Sequence, residues 1–407
     1  MFTTENYQRK LATIQKLAIP VGVAALAITL LLGLIGWGNF FQSYLYAFMF
    51  WFGIALGSLG LLLIGHLAGG PWAAMIRRPL EAGAMNIPIM AGLFIIILLG
   101  MGNLYEWTHA DYVASHPLVA AKTSWLNVGA FILRSVIYFA IWTFLAWRMV
   151  SWSKAQDADA SKAKSLARSF QRWGAGGFLL TAFLMTFAAF DWAMSLNPEW
   201  YSGLYGVIFM IGQAITTMAF LIIFLLLFSK VEPYSQVLNS KRVQDLGNFL
   251  MAFTMFWAYV NASQLIIYWS GNTIETNPFY VLRMDANGPW RSLGGFLMIF
   301  HFFVPFIILF SRWVKRSHRL LAIMAAWMLI AQLANLFFYI MPEFHRTGFQ
   351  LHLGDILALV GIGAIWIWGF IYWFTRQPLL PLNDPRLSAH DDHHGHHESH
   401  VAHKGAH

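Results

Sequence analysis

The sequence predicts an all-α integral membrane protein of ten transmembrane helices, arranged as two four-helix bundles (spans 2–5 and 6–9) plus two peripheral helices. Three observations lead there. Of 407 residues, 58% are hydrophobic and 11% charged, against roughly 25% charged in a soluble domain. Ten segments are apolar over the about 20 residues that cross a hydrocarbon core. Lysine and arginine are unevenly shared between the loops that join those segments.

The ten segments are 17–36, 42–66, 86–103, 126–148, 173–193, 204–228, 246–268, 291–311, 320–341 and 355–375. Residues 1–16 are polar and read as a cytoplasmic N-terminus; no cleavage motif precedes the first span, which is expected to remain in the mature chain. With an even number of crossings, both ends fall on one side. If that side is the cytoplasm, the inner segments hold 21 Lys/Arg and the outer loops 4, namely Lys122, Arg283, Arg291 and Arg346. This is a strong positive-inside pattern, and it makes the formal charge of +8 a mark of topology rather than of nucleic-acid binding. Arg77 and Arg78 fall in the inner loop before span three, and 154–172 reads as a basic linker beside anionic lipid. The chain has no cysteine, which removes thiolate-ligated clusters, cysteine zinc sites, c-type haem attachment and disulfides.

A weak repeat groups the helices. "LYAFMFWFG" at 45–53 aligns with "LYGVIFMIG" at 204–212, and "NPEW" at 197–200 with "MPEF" at 341–344. The matched spans run in the same direction, which suggests unit one over 42–193 and unit two over 204–341 within a membrane domain of 17–375. Gly53, Gly57 and Gly60 are candidates for close helix contact.

Polar residues at depth are costly and mark sites or pathways. From a rise of about 1.5 Å per residue, Arg134 lies roughly 12 Å below the outer end of span four and His301 roughly 15 Å below that of span eight. Asp191 lies near the outer end of span five, inside "TFAAFDWAMSLNPEWYSGLYG" at 186–206. A buried guanidinium wants a carboxylate, and Asp191 is a candidate partner for Arg134. Asn103, Glu106 and Asn127 sit at the same outer level. Gln213, Asn261, Gln264, Gln332 and Asn335 gather in unit two, where interhelical hydrogen bonding is the plain alternative. Trp192, Trp200, Tyr201 and Tyr205 read as an interfacial belt. In the inner half, His66 is the main titratable group, and no unbroken carboxylate relay is visible. The tail 376–407 carries 8 of the 15 histidines; it could bind metal or buffer protons, or be a solvated tail.

The ten spans, "FDWAMSLNPEWYSGLYG" and "FHFFVPF" at 300–306 resemble the quinone-type membrane subunits of bacterial alternative complex III, within the wider NrfD and polysulfide-reductase membrane-subunit family. Length and tail are most like the second, smaller of the two such subunits. The resemblance implies a complex in the bacterial cytoplasmic membrane that oxidises menaquinol or ubiquinol. It also implies partner subunits carrying iron–sulfur clusters and haem c, a second homologous quinone-type subunit, a cytochrome or oxidase as acceptor, and a role in proton translocation. This chain would hold no redox centre of its own. The implied quinol pocket lies in unit one near Asn103, Glu106, Arg134 and Asp191. His301, Asn261, Gln264 and His66 are further candidates for quinone contact or proton transfer. Two other readings stay open: a structural subunit with a degenerate pocket, and a secondary transporter. A dihaem cytochrome b is disfavoured because His301 is alone at the midplane.

Overall fold

The computed structural model describes residues 4–273, 277–285, 288–384 and 386; the histidine-rich part of the tail lies outside them. The described residues are helical, with no strand. Among the described residues, ten spans are long and apolar enough to cross a membrane, so the chain is a multi-pass membrane protein by length and composition. Spans one and two are Thr4–Leu34 and Phe40–Ala68. Span three is a broken helix, Pro71–Ala84 and Ile87–Leu99. Spans four to seven are Val128–Ala158, Ala163–Trp192, Tyr205–Leu227 and Ser240–Gly271. Span eight runs from Arg291 to Phe310 with a wide π turn over Leu297–Phe303. Spans nine and ten are His318–Phe344 and Leu353–Phe374.

Local signals start these helices. Asn39, Asn127, Asn239 and Ser317 cap spans two, four, seven and nine, each side-chain oxygen accepting a backbone N–H of the first turn, which satisfies donors that the helix itself leaves free. The reversal between spans two and three rests on Gly69 and Gly70, at φ 72° and 91°, a region that only glycine enters freely.

Spans two and six are the most buried and form the seam between the units. Span two packs against spans three and five, span six against spans seven and nine, and the two helices against each other. A Cβ on Gly57 would lie 2.3 Å from Thr217 Oγ1 and 2.8 Å from the Gln213 carbonyl, so the glycine permits the approach. Gly53 faces the Gln213 side chain in the same way, whereas Gly60 has nothing within 4 Å and takes no part. Spans one and ten pair outside the bundles, and span ten seats on spans two and three, with a bond to span two from Trp51 Nε1 to Leu359 O at 2.8 Å.

Two expectations about boundaries and one about side-chain exposure need correction. Span three begins at Pro71, not 86, because its charged first half is helical and buried. The stretch 154–172 is mostly helix: span four runs on to Ala158 and span five starts at Ala163. The aromatic belt also fails in part, since Trp192, Trp200 and Tyr205 are buried and only Tyr201 is exposed.

Both ends of the described chain lie on one face. Tyr7 bonds the carbonyl of Leu227 at the end of span six, and Arg386 bonds that of Gly65 at the end of span two. This is called the terminal face below, and the other the far face.

Candidate functional site

Spans four and five cross with Arg134 and Asp191 at one level near the far face. Asp191 is in the last turn of its helix and its side chain is fully buried. Arg134 holds it bidentately, Nε to Oδ2 at 2.9 Å and Nη2 to Oδ1 at 2.8 Å. Trp125 Nε1 donates to Oδ1 and the Tyr138 hydroxyl to Oδ2, both at 2.9 Å. Four donors therefore fill both oxygens, and a proton could add only where one of them lets go. The Trp125 ring also lies under the guanidinium, 4.0 Å from it. Trp125 is the most open member, 38% exposed; the Arg134 side chain is 15% exposed, and its Nη1 makes no hydrogen bond among the described residues.

The next residue, Trp192, fixes this corner. Its indole N–H donates to Ser135 Oγ at 3.1 Å, its carbonyl accepts from the Tyr105 hydroxyl at 3.0 Å, and its ring sits among Phe48, Phe52, Phe94 and Phe139. The aromatics around Asp191 are of two kinds: Trp125 and Tyr138 donate to it, and Trp192 anchors the backbone.

Asn103 and Glu106 do not join this cluster. Both are exposed on the far face, and Glu106 pairs with the Tyr112 hydroxyl, whose pKa is pushed up to about 12 by burial and then by that carboxylate. Asn127 caps span four.

Unit two builds a different centre. His301, in the π turn, meets Gln332 Oε1 through Nε2 at 2.6 Å and packs on Trp257. Gln332 also lines a cavity of about 30 Å³ between spans two, six and nine, with Gln213 and Asn335. His301 Nδ1, Gln213 Oε1 and Asn335 Oδ1 are buried without partners among the described residues. The space suits about one water molecule, not a ring. Asn261 bonds Trp257 O and accepts from Tyr339, and Gln264 links Ser202 to Tyr280; both are tied up in hydrogen bonds within the fold. Asn335 precedes Met341 by six residues as Asp191 precedes Asn197, so by the repeat unit two has an amide where unit one has the carboxylate.

Two charged clusters were not legible. Arg283, expected in an outer loop, is buried and bonds Glu343 at 2.8 Å, with Phe338 and Tyr339 carbonyls taking its other hydrogens. At the terminal face Arg77, Arg78 and Glu81 are buried together: Arg77 Nε to Glu81 Oε1 is 2.9 Å, and Arg78 Nη1 to Glu81 Oε2 is 2.8 Å. Arg78 also pairs with Asp157, and Arg77 with Asp384 at 2.9 Å. His66 stacks on Phe170 beside them, ring centres 4.2 Å apart. The first half of span three thus carries its charge into the protein because each arginine finds a carboxylate there. The i, i+4 spacing of Arg77 and Glu81 was the available signal. No group of three or more His, Asp or Glu able to hold a metal occurs among the described residues.

Neither models of known protein families nor curated proteins give a match to this chain.

Proposed function

We propose that the chain is a quinone-type membrane subunit of a quinol-oxidising electron-transfer complex, of the kind found in bacterial alternative complex III and most like the second, smaller of its two such subunits. The observation that carries this reading is the Arg134–Asp191 pair, with Trp125 and Tyr138 donating to the same carboxylate. An ion pair at a membrane boundary is costly to keep and marks chemistry more often than packing. The residues fit a quinol head group at one edge. Arg134 Nη1 is a spare donor for a ring oxygen, the Trp125 indole offers an aromatic face, and Asp191 is the acceptor through which a hydroxyl proton could leave. Such a proton would displace Tyr138 or Trp125 from the carboxylate. Redox centres, iron–sulfur and haem c, would lie in partner subunits. The excess of Lys/Arg on the terminal face supports a cytoplasmic location for both ends.

A second reading, a structural subunit with a degenerate pocket, is favoured by the complete filling of Asp191 and by Asn335 at the matching place in unit two. One experiment separates the two. The intact membrane complex is purified from cells carrying wild-type or Asp191→Asn chain, its subunits and bound quinone are identified, and quinol oxidation is measured. A complex with quinone-linked partners whose turnover falls with Asp191→Asn supports the first reading. Unchanged turnover in an assembled complex supports the second. A chain that purifies without redox partners refutes both.

A further inference from the structure

The terminal face holds a cavity of about 240 Å³ lined by His66, Arg77, Gln156, Gln171, Asp384 and Arg386, and neither reading above uses it. Its polar atoms are unevenly employed. Both Asp384 oxygens are taken: Oδ1 by the Arg386 backbone N–H and Nε, Oδ2 by Arg77 Nη1 and Arg386 Nη2. Gln156 Oε1 accepts from Arg77 Nη1 and its amide donates to Asn383 O. The groups left over are Arg77 Nη2 and His66 Nε2, both buried and without a partner among the described residues. Arg77 is 1% exposed. Both side chains pack on the Phe170 ring, the imidazole stacked and the guanidinium 4.6 Å from its centre, so their aim is set by packing. Gln171 forms an exposed rim, flanked on the same helix by exposed Lys164, Arg168 and Arg172.

Acceptors that are used up beside a spare guanidinium N–H and an imidazole nitrogen that donates in its Nε2–H tautomer make a receptor for an anion. The volume equals about eight waters at roughly 30 Å³ each, which is room for a phosphate group and the first atoms attached to it. The basic rim raises the local concentration of anions, and basic pockets between membrane helices are suited to lipid head groups.

We propose that this cavity is a binding site for a phosphate-bearing anion, held by Arg77 Nη2 and His66 Nε2. The chemistry is shared by an anionic phospholipid head group and by free phosphate. The site is independent of the quinol reading.

The test uses the full-length chain in detergent, stripped of lipid. Phosphatidylglycerol and phosphatidylcholine are titrated separately with native mass spectrometry as the readout, and inorganic phosphate is titrated in a thermal-unfolding assay. Gln171→Glu places a negative charge at the exposed rim without touching the core, and Lys241→Gln removes a charge elsewhere on the same face. Arg77→Lys keeps the charge but removes the spare Nη2, with folding checked by Tm. Expected is saturable binding of one anion per chain, weakened about tenfold by Gln171→Glu, weakened by Arg77→Lys, and unchanged by Lys241→Gln. Binding of phosphatidylglycerol over phosphatidylcholine assigns the lipid source. Stabilisation by inorganic phosphate without lipid retention assigns the free anion. Binding of neither probe means that the cavity holds only water and overturns the proposal. So does binding that Gln171→Glu leaves unchanged.

Discussion

Arg134 grips Asp191 with two nitrogens from the neighbouring span, and the Trp125 ring that supports the guanidinium also donates to the same carboxylate. The charge on each partner is therefore tolerable only while the other is present. Asp191→Asn leaves a guanidinium facing an amide near the far face. We expect a loss of about 3 kcal/mol, seen as a lower Tm in detergent, with the double variant Arg134→Gln/Asp191→Asn recovering part of it. A double variant that is less stable than either single one would mean that the two side chains do not act as a pair.

The seam between the units gives a sharper contrast. A methyl group at Gly57 meets the Gln213 carbonyl at 2.8 Å as well as the Thr217 hydroxyl. The hydroxyl can rotate, but the backbone carbonyl cannot. Gly57→Ala should cost about 1–3 kcal/mol through overpacking. Gly60→Ala, with nothing within 4 Å, should be neutral or stabilising by up to about 1 kcal/mol, the helix-propensity gain. Equal effects at the two sites would contradict the packing of span two on span six.

Acid should unlatch the terminal face. Burial alone would raise the pKa of Asp384, but the hydrogen bonds and charge of Arg386, with the charge of Arg77, outweigh it and hold the carboxyl below its ordinary 3.8. A depressed carboxylate contributes stability that is complete above the unfolded pKa and is lost as pH falls below it. The wild-type chain should therefore begin to lose this contribution below about pH 4 and lose it progressively as pH falls toward the depressed folded-state value. Asp384→Asn should already lack it at neutral pH, by about 3 kcal/mol because two arginines lose their partner, and should show a shallower acid limb. Thermal unfolding of both chains from neutral pH down to about pH 3 reads this. Parallel acid limbs would remove Asp384 from the account.

Truncation separates the latch from the tail. A chain ending at Arg386 keeps the bonds of Asp384 and Arg386 and should match the full-length Tm. A chain ending at Leu379 loses them, with those of Asn383 to the Gln156 and Asp157 carbonyls, and should unfold earlier. A Tm that falls at the first cut would place a stabilising contact beyond Arg386.

Reporter fusions test the topology directly. A fusion after Lys230, at the terminal face, and one after Trp269, near the far face, should report opposite compartments, with the first cytoplasmic. Agreement between the two reporters would refute the ten-span order.

The number of spans, the helical class and the partnership of Arg134 with Asp191 were legible in the amino-acid sequence. The physical reason is that hydropathy is a local property: a segment apolar over its own length must find an apolar surrounding whatever its neighbours do. A buried arginine in the outer half of a span needs a carboxylate, and few lie within its reach; that the two side chains share one level was decided by how spans four and five cross. The tertiary structure alone decided the fate of charges that lie beside apolar runs. Arg77, Arg78 and Glu81 look like a loop by composition, yet they are the buried start of span three, because Asp157 from span four and Asp384 from the tail close their charge balance from distant parts of the chain. Arg283 is buried for the same reason, through Glu343. Asn103 and Glu106 went the other way, left exposed although their depth matched Asp191. Depth along a helix axis is set by sequence position, but the direction in which a side chain points at that depth is set by which helices pack around it.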